Sequence, residues 1–176
     1  MISHPISRGS QGSEPMNTVI IYYSLTGNTE YTANNLAQYC QADLLRLETD
    51  NPYPKSRFKK YFWCGKSAVM SEEPELKPFV FDPDAYECIV FGFPVWAGNL
   101  TPPIRSFVKK YRDLLSGKRL AAFACQSGAG AHKALAKLEE LLPDSLYARL
   151  ILNDPLEKQN SATQTLMEEF ADKLMV

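Results

Sequence analysis

Thr18-Val19-Ile20-Ile21-Tyr22-Tyr23 runs directly into Ser24-Leu25-Thr26-Gly27-Asn28-Thr29, and this join decides the fold. The first six residues are β-branched or aromatic and mostly apolar, as suits a buried strand. The next six are rich in hydroxyls and carry a glycine. A helix-like segment then runs from Glu30 to Cys40. A strand feeding a hydroxyl- and Gly-rich loop that opens a helix makes a phosphate site. The loop's backbone N–H groups and the positive end of the helix dipole point at the same anion. Ser24, Thr26 and Thr29 add hydroxyl donors. No Lys or Arg lies in or next to the loop in sequence, so the bound anion is expected to be held by N–H and O–H groups alone. That suits a phosphate monoester held as an anchor better than one being transferred. An N-cap turn is the simpler reading, because Ser, Thr and Asn cap helices routinely.

Outward from this join, apolar runs alternate with helical patterns. Strands are predicted at Thr18–Tyr23, Leu44–Glu48, Cys88–Phe93, Arg119–Cys125 and Leu146–Leu152. Helices are predicted at Asn28–Tyr39, Ser56–Ser71, Pro103–Leu115, Ala131–Leu141 and Ser161–Leu174. Runs that are apolar throughout, such as Cys88-Ile89-Val90-Phe91, imply strands covered on both faces. Strand–helix alternation implies a parallel sheet with right-handed crossovers. The expected fold is α/β, a doubly wound five-stranded parallel sheet of order 2-1-3-4-5 with helices on both faces. Such sheets bind ligands beyond the carboxyl ends of their strands.

Two further loops fall at that edge. After the third strand comes Gly92-Phe93-Pro94-Val95-Trp96-Ala97-Gly98-Asn99. Its indole can stack on a planar cofactor or, more simply, plug the edge of the core. After the fourth strand comes Gln126-Ser127-Gly128-Ala129-Gly130-Ala131. Its small residues let a ligand lie against the backbone, although an ordinary strand-to-helix turn looks the same. One loop for a phosphate, one aromatic face and one set of backbone donors describe a planar heterocycle on a phosphorylated tail. Flavin mononucleotide (FMN) has that form.

Composition narrows the function classes. The chain has 176 residues, 45% hydrophobic and 22% charged, with a net charge of −1. That is enough for one domain and gives no basic footprint for nucleic acid. No apolar run is long enough to span a bilayer. Residues 1–15 are polar and are expected to be a disordered leader, with residues 16–176 as one domain. Cys40, Cys64, Cys88 and Cys125 form no CxxC pair, and His4 and His132 are the only imidazoles, so no zinc site is expected. Cys88 and Cys125 sit in apolar runs and are read as small core residues. This usage suits a reducing cytoplasm. Gly65-Lys66-Ser67 lacks the first glycine of a nucleotide-binding P-loop, because position 60 is Lys60. No G-x-S-x-G elbow is present, which argues against a hydrolase of that type. The first strand ends without the carboxylates of a receiver domain.

The residues resemble the flavodoxin family. Ser24-Leu25-Thr26-Gly27-Asn28-Thr29 matches that family's hydroxyl-x-Thr-Gly-x-Thr phosphate loop, and Gly92 with Trp96 is similar to its second flavin loop. The resemblance runs from about Thr18 to the C-terminus. It implies FMN as cofactor, with its phosphate held by Ser24, Leu25, Thr26, Gly27, Asn28 and Thr29. It implies that Pro94, Val95 and Trp96 flank the isoalloxazine, with Trp96 stacking on it or beside it. Ala97, Gly98 and Asn99 would lie near its reactive edge, and Gln126, Ser127, Gly128, Ala129 and Gly130 along the other edge. Asn99 stands where many members carry an acid, and the third loop lacks their tyrosine. Three functions follow from the resemblance: an FMN electron carrier, an FMN-dependent NAD(P)H:quinone-type oxidoreductase, and a non-redox flavin-binding interaction module. No catalytic acid or base is demanded, because the chemistry belongs to the cofactor. The expected partner is a redox protein or a small electron acceptor, with NAD(P)H as a candidate donor and neither nucleic acid nor membrane.

Overall fold

The computed structural model describes residues 16–51, 53, 65–67 and 70–176. The leader expected at residues 1–15, Cys64 and most of the helix expected at Ser56–Ser71 lie outside these residues. Residues 65–67 are helical.

Five strands build one parallel sheet: β1 (Thr18–Tyr22), β2 (Asp43–Arg46), β3 (Cys88–Pro94), β4 (Arg119–Gln126) and β5 (Ala148–Asn153). Their order is β2-β1-β3-β4-β5, as expected from the sequence. Among the described residues, four longer α-helices connect or follow them: α1 (Asn28–Cys40), α2 (Pro102–Tyr111), α3 (Ala131–Leu141) and α4 (Ser161–Met175). All of β1 and nearly all of β3 are buried, so the unbroken apolar runs do mark strands covered on both faces. The edge strand β2 is largely exposed and spans Asp43–Arg46 rather than Leu44–Glu48. Its limits follow backbone pairing, Val19 opposite Asp43 and Tyr22 opposite Arg46, which leaves a faint hydrophobic pattern.

Two cores flank the sheet. One holds Ile21, Phe91, Phe93, Ile104, Phe107 and Leu135 under α2 and α3. The other holds Ile20, Leu36, Val90, Phe123 and Phe170 under α1 and α4. Gly92 serves the second core. A Cβ there would lie 2.2 Å from the Phe123 ring, so the missing side chain is what lets that phenyl pack on the sheet. Pro102 and Pro103 open α2 where a missing N–H costs little. The α-helix stops at Tyr111, and a 3₁₀ turn at Arg112–Leu115 carries the chain to the helix end predicted at Leu115.

Candidate functional site

The carboxyl ends of β1, β3 and β4 lie side by side, with Tyr22 opposite Gly92 and Pro94 opposite Cys125. The β1–β3 boundary is where strand order reverses, so the sheet opens a crevice there. All three loops singled out from the sequence emerge at this edge.

The first loop is braced by its own serine. Ser24 Oγ accepts from the amides of Gly27 and Glu30, each at 3.2 Å. Gly27 has φ +98°, a conformation open to glycine at little cost. Asn28 Oδ1 accepts from Leu156 N at 2.9 Å, tying the loop to the segment after β5. Asn28 and Thr29 begin α1, where backbone amides have no intrahelical acceptor. Thr26 is exposed. Thr29 is buried, and its Oγ1 has no hydrogen-bond partner. The nearby Cys125 sulfur feels this hydroxyl without meeting hydrogen-bond geometry. A buried hydroxyl left without a partner costs about 1–3 kcal/mol, and among the described residues Thr101 Oγ1 and Arg105 Nε are in the same state.

The second loop is a closed two-residue turn. Trp96 N donates to Asn99 O at 3.1 Å, and Asn99 N donates to Trp96 O at 3.0 Å. Ala97 (φ +50°) and Gly98 (φ +67°) both take the left-handed conformation, as a type I′ turn demands. Trp96 is 7% exposed. Its ring stands edge-on to Tyr23 at 5.7 Å and to Tyr53 at 5.0 Å. The indole therefore belongs to the core and to the cavity wall at once. Asn99 and Thr101 of the Asn-Leu-Thr sequon are both buried.

The third loop hangs on Gln126. Its side chain donates to Asn153 Oδ1 at 3.0 Å and accepts from Ala131 N at 2.9 Å, capping α3. Ser127, Gly128 and Ala129 form an exposed tip. His132 and Lys66 are also exposed.

These loops enclose a cavity of about 300 Å³. Leu25, Thr26 and Asn28 line it from the first loop, Pro94 to Ala97 from the second, and Gln126 and Ser127 from the third. Cys125 forms part of its floor. Burial pushes the Cys125 thiol up to about 11, partly opposed by its contact with Thr32 Oγ1 at 3.6 Å. Ser24, Gly27, Thr29, Gly98, Asn99, Gly128, Ala129 and Gly130 do not line the cavity. Several of them shape the backbone behind it.

Three contributors carry no local sequence signal. Gly65 reaches the cavity from a distant segment. Leu156 closes the first loop. Arg46 of β2 pairs with Glu30 and reaches Ser24 O at 3.5 Å. A basic residue therefore does stand beside the first loop, its charge matched by a carboxylate. Among the described residues, no group of His, Cys, Asp or Glu could hold a metal ion. None of their helices is long and apolar enough to cross a membrane.

Comparison with known proteins agrees with the fold. The flavodoxin family profile matches residues 17–170. No curated protein matches the chain by sequence. Among solved structures, the flavoprotein of Lactobacillus acidophilus in complex with FMN is 19% identical, covers 81% of this chain and 97% of its own, and has a TM-score of 0.64. A candidate flavoprotein of Bacteroides uniformis is 20% identical over 90% of this chain and 99% of its own, with a TM-score of 0.72. The two-electron reduced flavodoxin of Megasphaera elsdenii is 18% identical over 88% and 98%, with a TM-score of 0.54. With the profile spanning nearly all of the described chain and the sheet order matching, the protein belongs to the flavodoxin family.

Proposed function

We propose that the chain binds FMN at this edge and works in electron transfer. The observation that carries the reading is the unpartnered, buried Thr29 hydroxyl at the open start of α1, next to a cavity walled by Trp96. A phosphate ester satisfies the first, and a flat ring fits the second. A cavity near 300 Å³ lies at the lower end of the range for cofactor sites. The relative solved with FMN supports the same assignment.

In this reading the Thr26 and Thr29 hydroxyls and the first amides of α1 hold the phosphate dianion. Pro94 to Ala97 flank the ring, and Gln126 to Gly130 supply backbone along its other edge. Ser24 and Gly27 set the loop's shape. FMN brings hydride and one-electron chemistry when bound, so the protein binds, orients and tunes it without a catalytic acid or base. A redox protein is the proposed partner, in the reducing cytoplasm that free Cys40, Cys88 and Cys125 suit.

A second reading, an FMN-dependent NAD(P)H:quinone-type oxidoreductase, draws support from the bare third loop. Ser127, Gly128 and Ala129 are small and exposed, and no aromatic side chain covers that side of the cavity among the lining residues of this loop. A small acceptor could reach the ring there.

Anaerobic reduction of the FMN-loaded protein, followed by its visible spectrum, separates the two. Bleaching in two one-electron stages supports a carrier. Bleaching in one stage, with NAD(P)H consumed when a quinone is added, supports the reductase. Failure to take up FMN overturns the binding assignment.

A further inference from the structure

We propose that Lys137, acting through Asn99, is a positioning residue that fixes the Ala97–Gly98 peptide at the cavity and puts an unmatched positive charge behind it. The proposal rests on the FMN reading above and names a part of the site that the phosphate loop and the indole do not explain.

The geometry is a relay. Lys137, half-buried on α3, donates its ammonium to Asn99 Oδ1. Asn99 is 4% exposed, and its Nδ2 donates to Ala97 O at 3.0 Å. An asparagine amide alone can turn either way. A lysine ammonium can only donate, so Oδ1 must face Lys137 and Nδ2 must face the turn. Lys137 therefore decides that the Ala97 carbonyl is taken by the protein. The peptide is trans and planar, so the Gly98 N–H points opposite to that carbonyl. Ala97 lines the cavity, which makes the orientation of this peptide a property of the cavity wall. The third loop blocks retreat, because Gly130 packs its backbone on the Gly98 Cα.

The charge is the second half. Among the described residues, no carboxylate forms an ion pair with Lys137 or with Lys133, whose stem lies against Gly98. The first turn of α3 holds no acid to offset the positive end of its dipole. The field behind the turn is therefore positive where Asn99 takes the place of an acid. Positive charge near a flavin favours its electron-richer form.

The test compares wild type, Lys137→Met and Lys137→Arg. The first readout is the two-electron midpoint potential of bound FMN, and the second is amide hydrogen exchange at Gly98 in the cofactor-free protein. In Lys137→Met, the preference for reduced over oxidised FMN should fall about tenfold, a drop of about 30 mV for a two-electron couple. Gly98 exchange should speed up at the same time, and Lys137→Arg should restore both. An unchanged potential and unchanged exchange in a Lys137→Met protein that still binds FMN would overturn this proposal alone. A wild-type protein that takes up no FMN would overturn it together with the cofactor assignment.

Discussion

Gly130 stands so close to Gly98 that a Cβ on Gly130 would meet the Gly98 Cα at 2.8 Å. Two loops from different strands are thus held in backbone contact, and the turn bearing Trp96 is backed by the turn opening α3. Gly130 also has φ +106°, which strains any other residue. Gly130→Ala therefore carries both a clash and a conformational penalty, and should destabilise the protein by about 2 kcal/mol or more. Urea denaturation measures this. The same variant should bind FMN more weakly, because the two loops must separate. Gly128→Ala is the control: a Cβ there meets nothing within 4 Å, so stability should stay within about 0.5 kcal/mol of wild type.

Trp96 has two duties, and its variants should separate them. The indole packs edge-on against Tyr23 and Tyr53 and is nearly enclosed. Trp96→Ala should cost about 3–5 kcal/mol of stability, the range for deleting a large buried aromatic. Trp96→Phe keeps most of the volume and should cost far less. Shifted absorbance of bound FMN in Trp96→Phe, with the fold intact, would assign the indole to the ring's environment. An unchanged spectrum would leave Trp96 as a plug at the core edge.

The sheet was legible because its central strands are buried on both faces. Ile20-Ile21 and Cys88-Ile89-Val90-Phe91 can hardly be read otherwise. The edges were less so. Asp43 opens β2 because its backbone pairs beside Val19, and no hydrophobic pattern announces that. Leu146 is buried yet precedes β5, so apolarity placed that strand's start two residues early. In the site, Thr26, Thr29 and Trp96 stood out because loop, strand and helix signals are contiguous there. Arg46, Gly65 and Leu156 did not, since they arrive from far along the chain and local spacing cannot encode their meeting. Lys137 is of the same kind. On sequence it is one more lysine on a helix, and its hold on Asn99 exists only after folding.

Cys125 gives the protein an alkaline weakness. Burial holds its thiol up to about 11, against an ordinary value of 9.0. Above pH 9 the unfolded chain sheds a proton that the folded chain keeps. The stability tied to the neutral thiol is therefore intact below pH 9 and is lost as pH rises through 11. At about 1.4 kcal/mol per pH unit, the loss approaches 3 kcal/mol. Cys40, Cys88 and Tyr147 are also raised by burial, so the measurement must be a difference. Urea midpoints at pH 8 and pH 10.5 should fall further for wild type than for Cys125→Ala. Equal falls would show that Cys125 ionises without hindrance.

Thr29 gives the sharpest test of the phosphate loop, because stability and affinity should move in different directions. Its Oγ1 is buried and makes no hydrogen bond within the protein. Thr29→Val replaces that hydroxyl with a methyl group of similar size. Without cofactor, the variant loses no bond and no longer buries an unmet polar atom, so its urea midpoint should hold or rise. With FMN, it lacks a donor to a dianion, and a hydrogen bond to a charged group is worth about 1.5–3 kcal/mol. Affinity by flavin-fluorescence titration should therefore fall between about tenfold and a hundredfold, and further when Thr26→Ala is added. Riboflavin has no phosphate, so its weaker binding should be the same in wild type and Thr29→Val. An equal loss for both ligands would mean that Thr29 shapes the pocket and does not hold the phosphate.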